Sequence, residues 1–255
     1  MCLAFALLLP SCYGARIDPN PVGRGQLAVN FYSAQSGDQV RAGNRSAVTI
    51  GERALGDRAA VPVWGFREPG DWGHRNYCGA GATQVLLSAW LPQVPDIETV
   101  ARRAKLNPNS GQTGVDTAAA INSFIDPVVV PALGHSWYRG EHVTTLSEVV
   151  AKLRSDLVSR EATGQFGHSV PVMVQTMTRT MPGWNRWNAT HMITIYGFDL
   201  SHNDPAVDTV SYAETPSPLA GYRGPAFQTI SLQALWTAMQ AYITESPSDP
   251  TNIIW

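Results

Sequence analysis

Apolar positions recur at two spacings along this chain, and the change between them divides it. Up to about residue 158 they fall three and four apart, the period of an amphipathic helix. Small residues and an apolar run, Gly79 to Trp90, follow Cys78 and predict a helix that ends near Trp90, before Pro92. Asp96 caps a second helix, with Ile97, Val100, Ala101 and Ala104 on one face. The stretch Asn107 to Gly111 breaks it, and Gly114 to Thr117 leads into a third helix over Ala118–Ile125. Val128–Val130 reads as a short strand, and His135–His142 as a loop rich in Trp and Tyr. Thr144 or Thr145 caps a fourth helix to about Val158, with Leu146, Val149, Val150, Leu153 and Leu157 on its apolar face.

Beyond that point the pattern becomes β-like. Val170–Gln175, Thr190–Gly197 and Thr209–Glu214 each predict a strand, and Ser231 caps a late amphipathic helix over Leu232–Met239. Helices followed by strands predict an α+β domain with antiparallel pairing, over residues 61–245. Residues 16–60 read as an arm or linker, with Leu27–Tyr32 as an edge strand, and residues 246–255 as a tail. Val61–Phe66 is extended and leads to a turn at Glu68-Pro69-Gly70-Asp71.

Composition narrows the class. The 255 residues are 44% hydrophobic, enough for a sizeable core. A net charge of −2 and the lack of a basic block speak against nucleic acid as a partner. Leu3–Pro10 is an apolar run suited to a signal peptide and too short to span a bilayer. Leu9-Pro10-Ser11-Cys12 fits a bacterial lipoprotein processing site, with membrane attachment through a lipidated Cys12. An ordinary secretory cut near Ala15 fits as well. Either places the protein outside the cytoplasm, secreted or attached to the cell envelope; separately, the chain is expected to act as a monomer. Cys2 and Cys12 fall within this leader, 1–15, so Cys78 is the one ordinary thiol of a mature form. Such a thiol is either buried and inert or in use.

Its position argues for use. The N–H groups at the start of a helix are unpaired and bear roughly half a positive charge, which favours a thiolate there. Small neighbours on both sides leave the sulfur approachable. A base is available on the second predicted strand, where alternation puts His191, Ile193 and Ile195 on one face. On the third, Val210, Tyr212 and Glu214 share a face. Pairing of these strands lets Glu214 reach the His191 imidazole and leaves its other nitrogen for the thiol proton.

Four segments together extend this reading. They are Tyr77-Cys78-Gly79-Ala80-Gly81-Ala82, Val170-Pro171-Val172-Met173-Val174, His191 through Gly197-Phe198-Asp199, and Tyr212-Ala213-Glu214-Thr215-Pro216. Their order and spacing resemble the papain-like cysteine peptidases, closest to the branch of bacteriocin-processing, double-glycine leader peptidases. The resemblance implies a papain-like fold, with the cysteine helix packed on a sheet that bears the histidine and the acid. It implies peptide-bond hydrolysis with Cys78 as nucleophile, His191 as base and Glu214 as orienting acid, with no metal or cofactor. The family's upstream Gln, which lines the oxyanion hole, has no counterpart in Glu68–Tyr77. Asn76, His74 and Arg75 are the substitutes considered, and Asn76, Tyr77 and Gly79 are assigned to the oxyanion and substrate site.

Other readings attach to the same residues. A catalytically weak module that binds peptide or cell-wall material, or an amidase or transglutaminase-like acyl transferase, would keep the same core. Cys78, His74 and His191 lack the paired spacing of a zinc site. Six tryptophans between Trp64 and Trp187 suit either a carbohydrate groove or core packing. Asp199, Asp204 and Asp208 are alternative orienters. Asn44-Arg45-Ser46 and Asn188-Ala189-Thr190 match glycosylation acceptors but follow a leader of bacterial type.

Overall fold

Helix α1 (Cys78–Leu87) is buried at every residue after Cys78, because it lies between two layers. On one side are strands β3 (Val172–Met177) and β4 (Thr190–Asp199). On the other are helices α2 (Ile97–Arg103) and α3 (Gly114–Leu133). The structure, a computed structural model, describes residues 57–158, 169–184 and 188–255. The leader with Cys2 and Cys12, the strand expected at 27–32, the acceptor at Asn44, and Trp187 fall outside them.

The architecture is α+β, with five α-helices and one antiparallel seven-stranded sheet among the described residues. Strand β1 (Arg58–Ala60) pairs with the far end of β4, where Arg58 meets Asp199. Beyond β4 lie β5 (Thr209–Ala213) and β6 (Phe227–Ser231). On the other side of β3 come β7 (Ile253–Ile254) and then β2 (Gly140–Glu141). Helix α4 (Leu146–Leu157) and helix α5 (Leu232–Glu245) complete the core, both packing on β3. No helix among the described residues is long and apolar enough to cross a membrane.

The caps read from the sequence form. Asp96 accepts from the Thr99 N–H at 2.8 Å, and Ser231 from the Ala234 N–H at 3.1 Å. Thr145 rather than Thr144 caps α4, in a reciprocal box with Glu148.

Three expectations are corrected. Val128–Val130 is not a strand but part of α3, which runs through Pro127 and Pro131. A proline inside a helix lacks the N–H that would serve the carbonyl four residues back. For Pro127 that carbonyl is Ser123 O, and Arg103 Nη1 supplies the missing donor at 2.8 Å. Ile121, Ile125 and Val129, spaced by four and fully buried, hold this face to the core. Secondly, the presumed arm contributes β1 at its end. Thirdly, residues 246–255 are not a tail, since β7 sits between β2 and β3 with Ile253 and Ile254 buried.

Because Ile253 fills an interior strand, Ile253→Ala is expected to lower stability by about 2–5 kcal/mol. Urea denaturation measures it; a loss under about 0.5 kcal/mol, the scale of a surface change, would mean that the segment is peripheral.

Candidate active site

Tyr77 is the N-cap of α1 and makes no side-chain capping bond, so the first-turn N–H groups are left for other partners. The Cys78 side chain stands at that open end, partly exposed. The His191 ring and the backbone N–H groups of Gly79 and Met192 are close enough to favour its thiolate.

His191 lies near the start of β4, in a ladder where Thr194 pairs with Ala213 of β5. One further step in that register sets Glu214 opposite Ile193, on the face His191 shares. The result is a bond of 2.7 Å between His191 Nε2 and Glu214 Oε2. Nδ1 is therefore the ring nitrogen left for the thiol. The pair is buried, His191 at 4% and Glu214 at 1% exposure. Trp184 completes the enclosure: its Nε1–H donates to Glu214 Oε1 at 3.0 Å, and its ring stands edge-on to the imidazole at 4.7 Å.

These contacts set the charges. Burial pushes the Cys78 thiol up, but the hydrogen bond and charge of His191, with the two backbone N–H groups, bring it below its ordinary value. Burial opposes the imidazolium, yet the Glu214 charge and the bonds to Cys78 and Glu214 hold His191 well above its usual range. A lowered thiol beside a raised imidazole favours the thiolate and imidazolium pair over the range between the two values.

The pair opens into a cleft of about 310 Å³, lined among others by Glu68, Trp72, Gly79, Gln112 and Trp184. Of the expected oxyanion and substrate residues, Gly79 lines it beside Cys78, and a Cβ there would meet the Gln112 side chain at 2.6 Å. Asn76 also lines it, but its Nδ2 donates to the Pro108 carbonyl at 2.7 Å. Tyr77 does not: its ring is buried and its hydroxyl reaches Glu98 at 3.3 Å. That side chain turns away from the cleft because the N-cap backbone directs it toward α2.

The other substitutes are engaged as well. His74 lies between Asp71 and Glu98, at 2.6 and 2.5 Å, apart from Cys78. Arg75 donates to Trp72 O and Asn109 Oδ1. Asp199 pairs with Arg58 and Ser201, Asp204 accepts from the Ala206 N–H, and Asp208 accepts from the His202 N–H. Among the described residues, no three His, Cys, Asp or Glu side chains are gathered as metal ligands would be. The tryptophans divide: Trp90 packs on Trp137 and Tyr138 in the core, while Trp72 and Trp184 line the cleft.

Glu68 and Gln112 escaped the sequence reading, and Trp184 figured in it only as one of six tryptophans suited to a groove or to core packing. Trp184 belongs to a Trp-rich connection whose geometry only the folded chain reveals. Glu68, in an apparent surface turn, is 4% exposed and faces the site, with its carboxyl raised well above the usual range by burial and by the Cys78 charge. Comparison with known proteins finds no family model that matches the chain and no matching curated protein.

Iodoacetamide labelling of Cys78 against pH tests the pair. The midpoint is expected below about 8.5, the value of a free thiol. His191→Ala removes the largest pull against burial and leaves only the two backbone N–H groups to oppose it, so the midpoint moves up and labelling at pH 7 drops about tenfold or more, each pH unit being a factor of ten in thiolate. Equal curves for the two proteins would contradict the pairing.

Proposed function

We propose that the chain is an exported cysteine peptidase of papain-like architecture, related to the double-glycine leader peptidases, that hydrolyses peptide bonds. The observation that carries this is the alignment of Cys78, His191 and Glu214 at the head of a 310 Å³ cleft. An α+β fold in which the thiol helix lies on the strand bearing the imidazole supports the architecture.

In this mechanism the Cys78 thiolate attacks the substrate carbonyl carbon, and the carbonyl π electrons move to oxygen. The Cys78 N–H, at the open helix start, points its dipole at that oxygen. As the C–N bond breaks, His191 delivers its proton to the leaving amine, and the acyl group stays on sulfur. Water, deprotonated by His191, then releases the acid. Glu214 keeps the ring oriented through Nε2 and stabilises the imidazolium between transfers. Trp184 excludes water from that bond. The apolar leader supports export, with Cys12 as the lipid-bearing residue or with a cut near Ala15.

Incubation with unfolded casein, followed by mass spectrometry of the products, tests the proposal. The wild type is expected to generate new peptide termini, and Cys78→Ala or His191→Ala to lower the rate by a factor on the order of 10⁴ or more. Cleavage that survives Cys78→Ala would rule the thiol out as nucleophile. Retention of casein without cleavage would favour a binding module.

A further inference from the structure

Glu68 takes no part in the chemistry above, yet its placement is unusual for an acid in a Glu-Pro-Gly-Asp turn. Such a side chain belongs in water. Here it is 4% exposed and lines the same cleft as Cys78 and His191. The backbone fixes it there: Glu68 N–H donates to Thr215 O at 3.0 Å, directly after the orienting Glu214. Its Cγ lies 3.4 Å from where a Cβ on Gly81 would stand, so the first turn of α1 braces it from the other side. The site thus presses this carboxyl between the thiol helix and the chain segment that holds the acid.

Its polar partners, for the ionised form, are a hydroxyl and a backbone N–H. Thr215 Oγ1–H donates to Oε1 at 3.2 Å, and the Ser217 N–H donates to the carboxyl. The charged groups that face it are Cys78 and His191. A thiolate and a carboxylate in one pocket repel each other. Burial and the Cys78 charge favour the neutral acid, against the weaker opposing pull of His191, Thr215 and Ser217. A neutral carboxylic acid has one O–H to give. The Thr215 hydroxyl can accept as well as donate, and the cleft that Glu68 lines is the other direction open to that proton.

We propose that Glu68, in its acid form, is a catalytic hydrogen-bond donor that holds the carbonyl oxygen of the substrate together with the Cys78 N–H. This rests on the peptidase reading. It supplies a second oxyanion donor, at a site where Asn76, His74 and Arg75 are engaged with other partners. As the S–C bond forms and the π electrons reach oxygen, the Glu68 O–H bond to that oxygen shortens without giving up its proton. When the electrons return and C–N breaks, the proton reaching the amine comes from His191, so Glu68 ends each half-reaction as it began. High pH removes the donor and sets a second anion beside the thiolate.

Two full-chain variants of similar volume separate donor from charge. Glu68→Gln keeps an N–H donor that cannot ionise, and Glu68→Met keeps the bulk without a donor. The probe is the dipeptide aldehyde acetyl-Phe-glycinal, which adds to a thiol as a tetrahedral hemithioacetal, read as protection of Cys78 from iodoacetamide. Glu68→Gln is expected to bind it within about threefold of wild type, and Glu68→Met about 100-fold more weakly, the effect of losing one oxyanion donor. The iodoacetamide midpoint itself stays put in Glu68→Gln, because one neutral group replaces another. Unchanged aldehyde binding in Glu68→Met would overturn the donor role. A midpoint shifted to lower pH in Glu68→Gln would show an ionised Glu68 and overturn it too. A wild-type thiol with an ordinary midpoint would instead sink the peptidase reading, and this proposal with it.

Discussion

The 2.7 Å contact between His191 and Glu214 is the constraint from which most of the site follows. Two ionisable groups at 3% and 0% side-chain exposure are expensive to take out of water. Stripping one partner from such a pair costs about 3–5 kcal/mol. Both carboxylate oxygens are accounted for, one at the ring and the other at the Trp184 indole, and the thiol acts on the ring from beside it. The register of β4 against β5, the edge-on tryptophan and the position of α1 all serve that one satisfied cluster. In this arrangement the imidazolium needs two anionic neighbours, and Cys78 is one of them.

Close approach is the second requirement, and the small residues after the cysteine meet it. A methyl group on Gly79 would run into Gln112 at 2.6 Å, and one on Gly81 into Thr215 at 2.6 Å. The helix is therefore touched on two sides, by the loop before α3 and by the chain after β5. Thr194 ties it to the sheet between these contacts, donating to Ala82 O at 2.7 Å. Larger residues at 79 and 81 would lift the thiol away from His191. Packing and chemistry are thus two demands on the same four positions, Gly79 to Ala82.

Much of this was legible in the residues, for physical reasons that can be named. Local caps at Asp96, Thr145 and Ser231 are short-range hydrogen bonds and depend on little else. The shared face of His191 and Glu214 follows from the period of two, once the strands pair. What escaped depends on distant partners. Helix α3 continues past Pro127 because Arg103, on another helix, serves the freed carbonyl. The strand at Ile253–Ile254 is too short to show a period and exists because β2 and β3 flank it. Tyr77 was assigned to the cleft by adjacency to Cys78, but a helix start sends neighbouring side chains in different directions. Glu68 looked like a turn residue because nothing beside it in sequence signals burial; Thr215 and Gly81 bury it.

The central claim is that Cys78 and His191 are an electrostatically coupled pair, the thiol held below its ordinary value and the imidazole above its own. A ¹⁵N NMR titration of the histidine rings in the intact protein tests it directly, before and after methylthiolation of Cys78. His191 is expected to titrate above its ordinary value, and blocking the thiol, which removes its negative neighbour, to lower the His191 pKa. A His191 that titrates near the ordinary value of about 6.5, with no response to modification of Cys78, would contradict it.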